Sequence, residues 1–192
     1  ILINSLIMKK FPLILVATIV ALISSCGMDD ENTWEEFREW REANEQWFYE
    51  QQNRTNSDGS LYYQALYPEW DKAQYILIHY FNDRSLTKDN LSPLLTSTVD
   101  VKYIGRLYND EPFDSSYNLT ANGDSIYRQK CYGVIDGWKV ALANMHVGDS
   151  CEVIIPYALG YGASDMGTIK PFSALHFNIK LVDIPFYEVD VN

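Results

Sequence analysis

The stretch 133–184 is the part of this chain that most constrains its fold. It contains in order a short helical pattern, a half-buried strand, a loop rich in aromatic residues and glycine, and a second alternating strand. The helical pattern has apolar residues at positions i, i+3, i+4 and i+7, which share one face: Trp138, Ala141, Leu142 and Met145. Elements in this order predict an apolar pocket beside a short amphipathic helix.

Further strands are predicted before this stretch. Residues 74–81 are apolar on nearly both sides, which is typical of a well-covered strand, and residues 98–107 alternate between apolar and polar. The second of these strands is expected to have one solvent-exposed face, formed by Asp100, Lys102, Ile104 and Arg106. Residues 151–155 and 175–182 alternate in the same way. The sequence therefore predicts an α+β fold, with an antiparallel sheet wrapped on the short amphipathic helix.

An extra N-terminal helix is predicted over 32–52. Thr33 and Glu36 have the spacing of a capping box, and one face of the helix is rich in tryptophan. This helix either docks on its own domain or serves dimerisation. Residues 53–60 follow as a polar linker. The predicted organisation is a signal segment (1–26), a tether with helix and linker (27–60), and a main domain (61–192).

The beginning of the chain has the pattern of a signal peptide. Met8 precedes two lysines, an apolar core over 11–23, and Ser24, Ser25 and Cys26, so residues 1–7 are expected to lie upstream of the true start. The core is short for a membrane span, which needs about 20 apolar residues. The residues before Cys26 resemble a bacterial lipobox, and this implies a lipid anchor on Cys26. The alternatives are an uncleaved anchor helix and a plain secretory signal.

Net charge narrows the classes of partner. The chain carries a formal charge of -11, and removal of the lysines at 9 and 10 with the signal would make it about -13. Such acidity argues against nucleic acid and against electrostatic attachment to anionic lipid. The lipid on Cys26 then remains as the membrane contact, at the outer membrane, facing the periplasm or the cell surface. The acidic residues at 29–31 are either a surface-export signal or part of a solvated tether.

Besides Cys26, the chain has two cysteines and three histidines, which leave little room for redox or metal chemistry. Cys131 and Cys151 either form a disulfide in an oxidising compartment or remain separate thiols. The histidines at 79, 146 and 176 are widely spaced and have no ligand pattern around them, so no metal site is expected.

Residues from about 99 to 184 resemble the FKBP-type peptidyl-prolyl isomerases. The resemblance rests on VKYIGRL at 101–107, FDSS at 113–116, VIDGW at 134–138 and YALGYGA at 157–163. It implies catalytic positions at Tyr103, Phe113, Asp114, Tyr161 and Phe177. It implies substrate-binding positions at Val134, Ile135, Trp138 and Ile169. It also implies that no cofactor is used, and that the ligands are proline-containing polypeptides and FK506-like macrolides.

The resemblance implies a mechanism that needs no nucleophile. Rotation about an X–Pro amide breaks its conjugation, and the uncatalysed event takes tens to hundreds of seconds. The twisted amide is less dipolar than the planar one, so a dry aromatic pocket favours the twisted form. Aromatic residues would hold the proline ring, and the Ile135 amide and the Tyr161 hydroxyl would bind substrate carbonyls. Asp114 would orient Tyr103 or polarise the region around the twisted carbonyl.

The chain departs from the family pattern in two places. Thr168 and Lys170 flank Ile169, so one pocket wall is expected to be less apolar, and the loop over 161–169 is a residue short. The family's pocket phenylalanine between Asp114 and Val134 has only Ser125 or Ile126 as candidates. Two functions remain open, an isomerase that speeds folding of exported proteins and a module that binds proline segments without turnover, as a chaperone would.

Overall fold

A computed structural model of the chain describes residues 32–187. The chain divides into two units, Ile1–Glu36 and Phe37–Asn192, and within the first the described residues 32–36 are helical. The predicted signal segment, Cys26 and the acidic residues after it lie outside the described residues. Within 32–187 no helix has the length and apolar character that a membrane crossing requires.

Seven strands of the second unit form one antiparallel sheet. The strands in chain order are β1 (Gln64–Leu66), β2 (Ile76–Tyr80), β3 (Thr98–Leu107), β4 (Pro112–Ser115), β5 (Tyr127–Lys130), β6 (Ser150–Ile155) and β7 (Leu175–Phe186). Their order across the sheet is β1-β2-β6-β7-β3-β4, and β5 pairs with the other half of β3. The antiparallel α+β prediction agrees with this arrangement.

The longest pairing joins β3 to β7 and places the residues of the predicted pocket on one face. Gly105 lies opposite Phe177 and Tyr103 lies opposite Ile179. Successive side chains point to opposite faces of a strand, so Tyr103, Gly105 and Phe177 share the face that packs against the main core.

One expectation about β3 is wrong. Asp100 was expected on the solvent-exposed face, but it is only 6 % exposed. The β3–β7 register shifts on both sides of Asp100, and its carboxylate accepts two hydrogen bonds from Arg128 Nε and Nη2, each 2.7 Å long. An ion pair with two hydrogen bonds makes burial of a carboxylate tolerable. The alternation of apolar and polar residues along β3 does not reveal this ion pair.

A short helix, α2 (Asp136–Ala143), covers the core face of the sheet, as predicted. A Cβ atom at Gly137 would lie 2.4 Å from Ile155 Cγ2, so only glycine permits this approach of α2 to β6. The helix ends at Ala143. Gly148 has a positive φ of +97° in the turn that leads into β6.

The longer helix, α1 (Arg38–Gln52), packs on the opposite face of the sheet. Trp40 Nε1 donates a hydrogen bond of 3.0 Å to Ser173 Oγ, and the Ala174 amide donates one of 2.9 Å to Asn44 Oδ1. Asn44 is 1 % exposed. The predicted helix over 32–52 is therefore interrupted at Phe37, and its C-terminal part docks on its own domain. Dimerisation stays a prediction.

Two connections differ from their predicted form. The expected polar linker over 53–60 is a folded turn, because Thr55 bridges Leu61 and the Asn56 amide donates to the Ser60 carbonyl. The short strands β1 and β4 were not predicted.

Asp149 fixes the turn between α2 and β6 from inside the molecule, where it is fully buried. Its carboxylate accepts hydrogen bonds from Thr87 Oγ1 (2.5 Å), Asn82 Nδ2 (3.0 Å) and the His146 amide (2.8 Å). Burial alone would raise the pKa of Asp149. These bonds and the charge of Arg84 outweigh burial and hold the pKa below its usual value.

Candidate active site

A cavity of about 200 Å³ opens between α2, the core face of β3 and β7, and the loops around them. Its lining is aromatic with a single carboxylate: Tyr103, Phe113, Asp114, Tyr127, Gly133, Val134, Ile135, Trp138, Tyr161 and Phe177. The hairpin of β3 and β4 supplies the first three of these residues, and the turn into α2 supplies the central ones.

The floor of the cavity is a set of aromatic rings in edge-to-face contact. The Trp138 ring lies 5.1 Å from the Tyr103 ring at 90° and 5.2 Å from the Phe177 ring at 88°. Phe113 meets Phe177 at 5.5 Å and 88°. Each such pair contributes about 0.5–1.5 kcal/mol beyond the area it buries. Because the rings brace one another, the floor keeps its shape without a ligand.

Gly105 is required beneath this floor. A Cβ atom at this position would lie 2.6 Å from Phe177 Cε1 and 2.7 Å from Phe113 Cζ, closer than real contacts allow. Any side chain at 105 would therefore push these two rings toward the cavity.

The only carboxylate of the cavity is bound to a tyrosine. The Tyr103 hydroxyl donates a hydrogen bond of 2.6 Å to Asp114 Oδ2, and the Ser115 amide donates one of 2.8 Å to Asp114 Oδ1. Burial raises the pKa of Tyr103 far above its usual value, and the hydrogen bond and charge of Asp114 raise it further. Tyr103 is therefore a neutral phenol at any physiological pH, with its proton directed to Asp114.

Two hydrogen-bond donors at the cavity have no acceptor among residues 32–187. The first is the N–H of Ile135, which precedes α2 and whose carbonyl accepts from the amides of Trp138 and Lys139. The second is the hydroxyl of Tyr161, whose pKa is raised by burial, by Asp114 and by Tyr127. An apolar cavity with two free donors is suited to a ligand that carries an apolar ring and carbonyl oxygens.

Comparison with known proteins agrees with this geometry. Residues 91–182 match the family model of the FKBP-type peptidyl-prolyl cis-trans isomerases. Residues 91–182 are therefore similar to the FKBP-type family. The chain is 41 % identical over 93 residues to the FKBP-type 22 kDa peptidyl-prolyl cis-trans isomerase of Escherichia coli K12, and 38 % identical over 94 residues to the peptidyl-prolyl cis-trans isomerase Mip of Coxiella burnetii. Each match covers 48 % of this chain, and 43 % and 39 % of those relatives, so the chain spans less than half their length.

Solved structures show the same fold over a longer part of the chain. FkpA from Escherichia coli superposes with a TM-score of 0.63 at 22 % identity, covering 94 % of this chain and 76 % of that one. A peptidyl-prolyl cis-trans isomerase from Pseudomonas syringae gives 0.60 at 23 % identity, covering 77 % and 95 %. The predicted FKBP-like fold class is therefore confirmed.

Residues 91–182 bring together eight of the nine residues proposed for the pocket. Ile169 is the exception, because it is buried in the adjoining core and does not line the cavity. The expectation of a less apolar wall is wrong. Thr168 is exposed and absent from the lining, and the Lys170 ammonium lies 4.6 Å from the centre of the Trp40 ring, toward α1.

Tyr127 and Gly133 line the cavity and were missed from sequence. Ser125 and Ile126 were the candidates for the missing phenylalanine position, but Ser125 has φ +63° and is buried. The pairing of β5 with β3 sets Tyr127 opposite Val101, on the face of Tyr103, and the two tyrosine rings meet at 5.5 Å. The only signal in the sequence was Tyr127 itself, a residue type that is common in strands. The residues around it do not alternate between apolar and polar, so the sequence did not show which face of the sheet Tyr127 occupies.

The chemistry open to the cavity is non-covalent. Cys131 and Cys151 are separate, buried thiols. Burial raises the pKa of Cys131 to about 11 and also raises the pKa of Cys151, so neither is a ready nucleophile. Within residues 32–187 no cluster of three histidine, cysteine or acidic side chains could hold a metal ion.

Proposed function

We propose that this protein is a peptidyl-prolyl cis-trans isomerase that binds X–Pro segments of polypeptides in the aromatic cavity. The observation that carries the proposal is the pairing of a rigid aromatic floor with two free donors, the Ile135 amide and the Tyr161 hydroxyl. The match of residues 91–182 to isomerases supports it. The whole protein's activity is proposed here, because the chain spans less than half of its relatives.

On this proposal the proline ring rests on Trp138, between Tyr103 and Phe177. A planar amide in this dry cavity loses the hydration that its dipole has in water, and the twisted amide loses less because its dipole is smaller. The cavity therefore binds the twisted form more tightly, which is the condition for acceleration. The free donors would hold the flanking carbonyls and leave rotation to the X–Pro bond alone.

Asp114 has a positioning role in this scheme. It holds the Tyr103 hydroxyl at 2.6 Å, and this fixes the phenol ring that packs against Trp138. Its charge also lies at the cavity, where it interacts with the developing polarity of a twisted carbonyl.

A protease-coupled assay with an X–Pro peptide tests the proposal on the full chain. Tyr161→Phe removes one free donor and no ring, so the catalysed rate should fall about two- to tenfold, the worth of one neutral hydrogen bond. Tyr49→Phe is the matched control, since Tyr49 is 61 % exposed on α1 and outside the cavity. Unchanged rates in Tyr161→Phe would refute this role. No rate above background, with peptide binding retained, would favour the non-catalytic binding module.

We also propose that the isomerase assists folding of exported proteins from a lipid anchor on Cys26, at the outer membrane. The signal pattern over 8–26 supports this placement. Incorporation of labelled palmitate in cells should be present in the wild type and lost in Cys26→Ala, with the protein leaving the membrane fraction. Equal labelling of both would contradict the anchor.

An FK506-like macrolide is the proposed inhibitor class. Such a ligand would compete with the proline ring for the aromatic floor around Trp138. Addition of FK506 should suppress the catalysed rate and shift the Trp138 indole resonance. A catalysed rate that is insensitive to saturating FK506 would remove this ligand from the proposal.

A further inference from the structure

A second cavity, of about 320 Å³, lies on the opposite face of the sheet from the aromatic cavity. We name it the helix cavity, because α1 forms one wall. His176 borders it and directly precedes Phe177 of the aromatic floor, and successive residues of a strand point to opposite faces. Its lining residues come from α1, the turn after it, the residue before β1, β6, β7 and the β3–β4 turn: Trp47, Gln51, Arg54, Tyr63, Tyr108, Asp110, Glu152 and His176.

The helix cavity holds a buried carboxylate that stays charged. The Glu152 side chain is 12 % exposed, and its Oε1 lies 2.6 Å from His176 Nε2. The Tyr62 hydroxyl donates to Oε2 at 3.3 Å. Burial alone would raise the pKa of Glu152, but hydrogen bonds from His176, Tyr63 and Tyr62 outweigh it, so the pKa lies below its usual value. Glu152 is therefore an anion at neutral pH.

The other ring nitrogen of the histidine is left without a partner. His176 Nδ1 is shielded from solvent, and no residue of the described chain forms a hydrogen bond with it. The nearest charged atom is Asp110 Oδ1 at 3.8 Å, on a side chain that is 83 % exposed at the mouth of the cavity. In the neutral tautomer whose Nε2 proton faces Glu152, Nδ1 is an acceptor. Burial of this acceptor without a partner is unfavourable, and a ligand with an N–H donor would relieve it.

Aromatic rings and the guanidinium of Arg54 form the remaining walls. Trp47 lies 6.5 Å from Tyr108 and 6.1 Å from the His176 ring. The Arg54 guanidinium stacks 3.9 Å from the centre of the Tyr62 ring, so its charge is held at one wall. The cavity is therefore lined by two carboxylates, Glu152 and Asp110, and by one guanidinium, Arg54. Its aromatic rings also attract organic cations.

We propose that the helix cavity binds an organic cation with N–H donors, the ammonium or guanidinium group of a lysine or arginine side chain in a polypeptide. The cation donates to His176 Nδ1 and to Asp110, and its methylene groups pack on Trp47 and Tyr108. The net charge of -11 attracts cationic partners to the molecule. Glu152 and Asp110 exclude an anion. The site is separate from the aromatic cavity, so it does not depend on isomerase activity.

An NMR titration of the full chain with N-acetyl-lysine amide tests the proposal. The indole N–H of Trp47 and the ring of His176 should shift with the probe, and the indole of Trp138 should not. N-acetyl-norleucine amide, which has no charge, and N-acetyl-glutamate amide, which is anionic, are the matched control probes and should leave Trp47 unchanged.

Charge variants should change the affinity for the probe in opposite directions, which a nonspecific effect would not do. Asp110→Asn should weaken probe binding about two- to fivefold, the worth of an exposed ion pair. Arg54→Gln should strengthen it, because a like charge is removed. Asp124→Asn makes the same change in net charge on a side chain that is 92 % exposed and outside the cavity, and it should have no effect. Equal shifts with the norleucine probe, equal weakening in Asp124→Asn, or no shift at Trp47 would each overturn the proposal.

Discussion

Replacement of Gly105 by alanine tests whether the aromatic floor is as rigid as its geometry implies. The added Cβ would lie 2.6 Å from Phe177 Cε1 and 2.7 Å from Phe113 Cζ. The backbone cannot yield easily, and the rings can move only against each other. Gly105 is paired with Phe177 on β7 and with Asp114 on β4, and each ring is braced by the other. Both rings must therefore tilt toward the cavity.

The magnitude follows from two opposing contributions. Overpacking of a close-packed site costs about 1–3 kcal/mol. Alanine in a strand interior would otherwise gain roughly 0.5–1 kcal/mol over glycine. A net loss of roughly 0.5–2 kcal/mol in the free energy of unfolding is expected, and in a domain of this size it lowers the melting temperature by about 1–8 °C. The catalysed rate should fall as well, because the proline subsite becomes narrower.

Denaturant unfolding and the isomerase assay on the same preparation measure both effects. Gly133→Ala is the control for stability, since its Cβ would meet only the end of the flexible Gln129 side chain, 3.1 Å away. Its free energy of unfolding should change by no more than about 0.5 kcal/mol. A Gly105→Ala protein that is as stable as the wild type and equally active would refute the rigid floor.

Three further predictions concern the scaffold. Asp149→Asn should reduce stability and flatten its dependence on pH. A carboxylate with a lowered folded pKa contributes stability that is complete above its unfolded pKa of about 3.9 and is lost as pH falls through the folded value. Acid titration of unfolding checks this, and an unchanged acid slope would contradict it. Asn44→Ala should cost about 1–3 kcal/mol in thermal unfolding, because the Ala174 amide loses its acceptor inside the protein, and a loss below about 0.5 kcal/mol would argue against this anchor of α1. Cys131 and Cys151 should react with a thiol reagent only after denaturation, and fast labelling of the native protein would show that the core is more open than described.

The sequence predicted the parts of the fold whose residues alternate or repeat on one face. The strand over 98–107 has the predicted bounds, and the apolar stripe led by Trp138 faces the core as expected. Eight of nine pocket positions converge because they lie on these elements or on motifs directly joined to them.

The remaining features depend on pairings that a sequence does not display. Tyr127 reaches the cavity only through the register of β5 against β3. Asp100 is buried only because Arg128 arrives from the neighbouring strand. Lys170 turns away from the cavity because the Trp40 ring of α1 gives its charge an alternative contact. In each case a distant partner decides where a side chain points.

Proline exchange and cavity occupancy, measured in one NMR sample, show whether the aromatic cavity catalyses X–Pro isomerisation. A peptide with a single X–Pro bond is mixed with a substoichiometric amount of the full chain, and exchange between its cis and trans resonances is recorded. A titration in the same buffer then follows the indole N–H of Trp138, with an X–Ala peptide as the control. We expect accelerated exchange and a saturable shift of Trp138 with the proline peptide only. Exchange at the uncatalysed rate while Trp138 shifts, or accelerated exchange while Trp138 stays unchanged, would contradict this expectation.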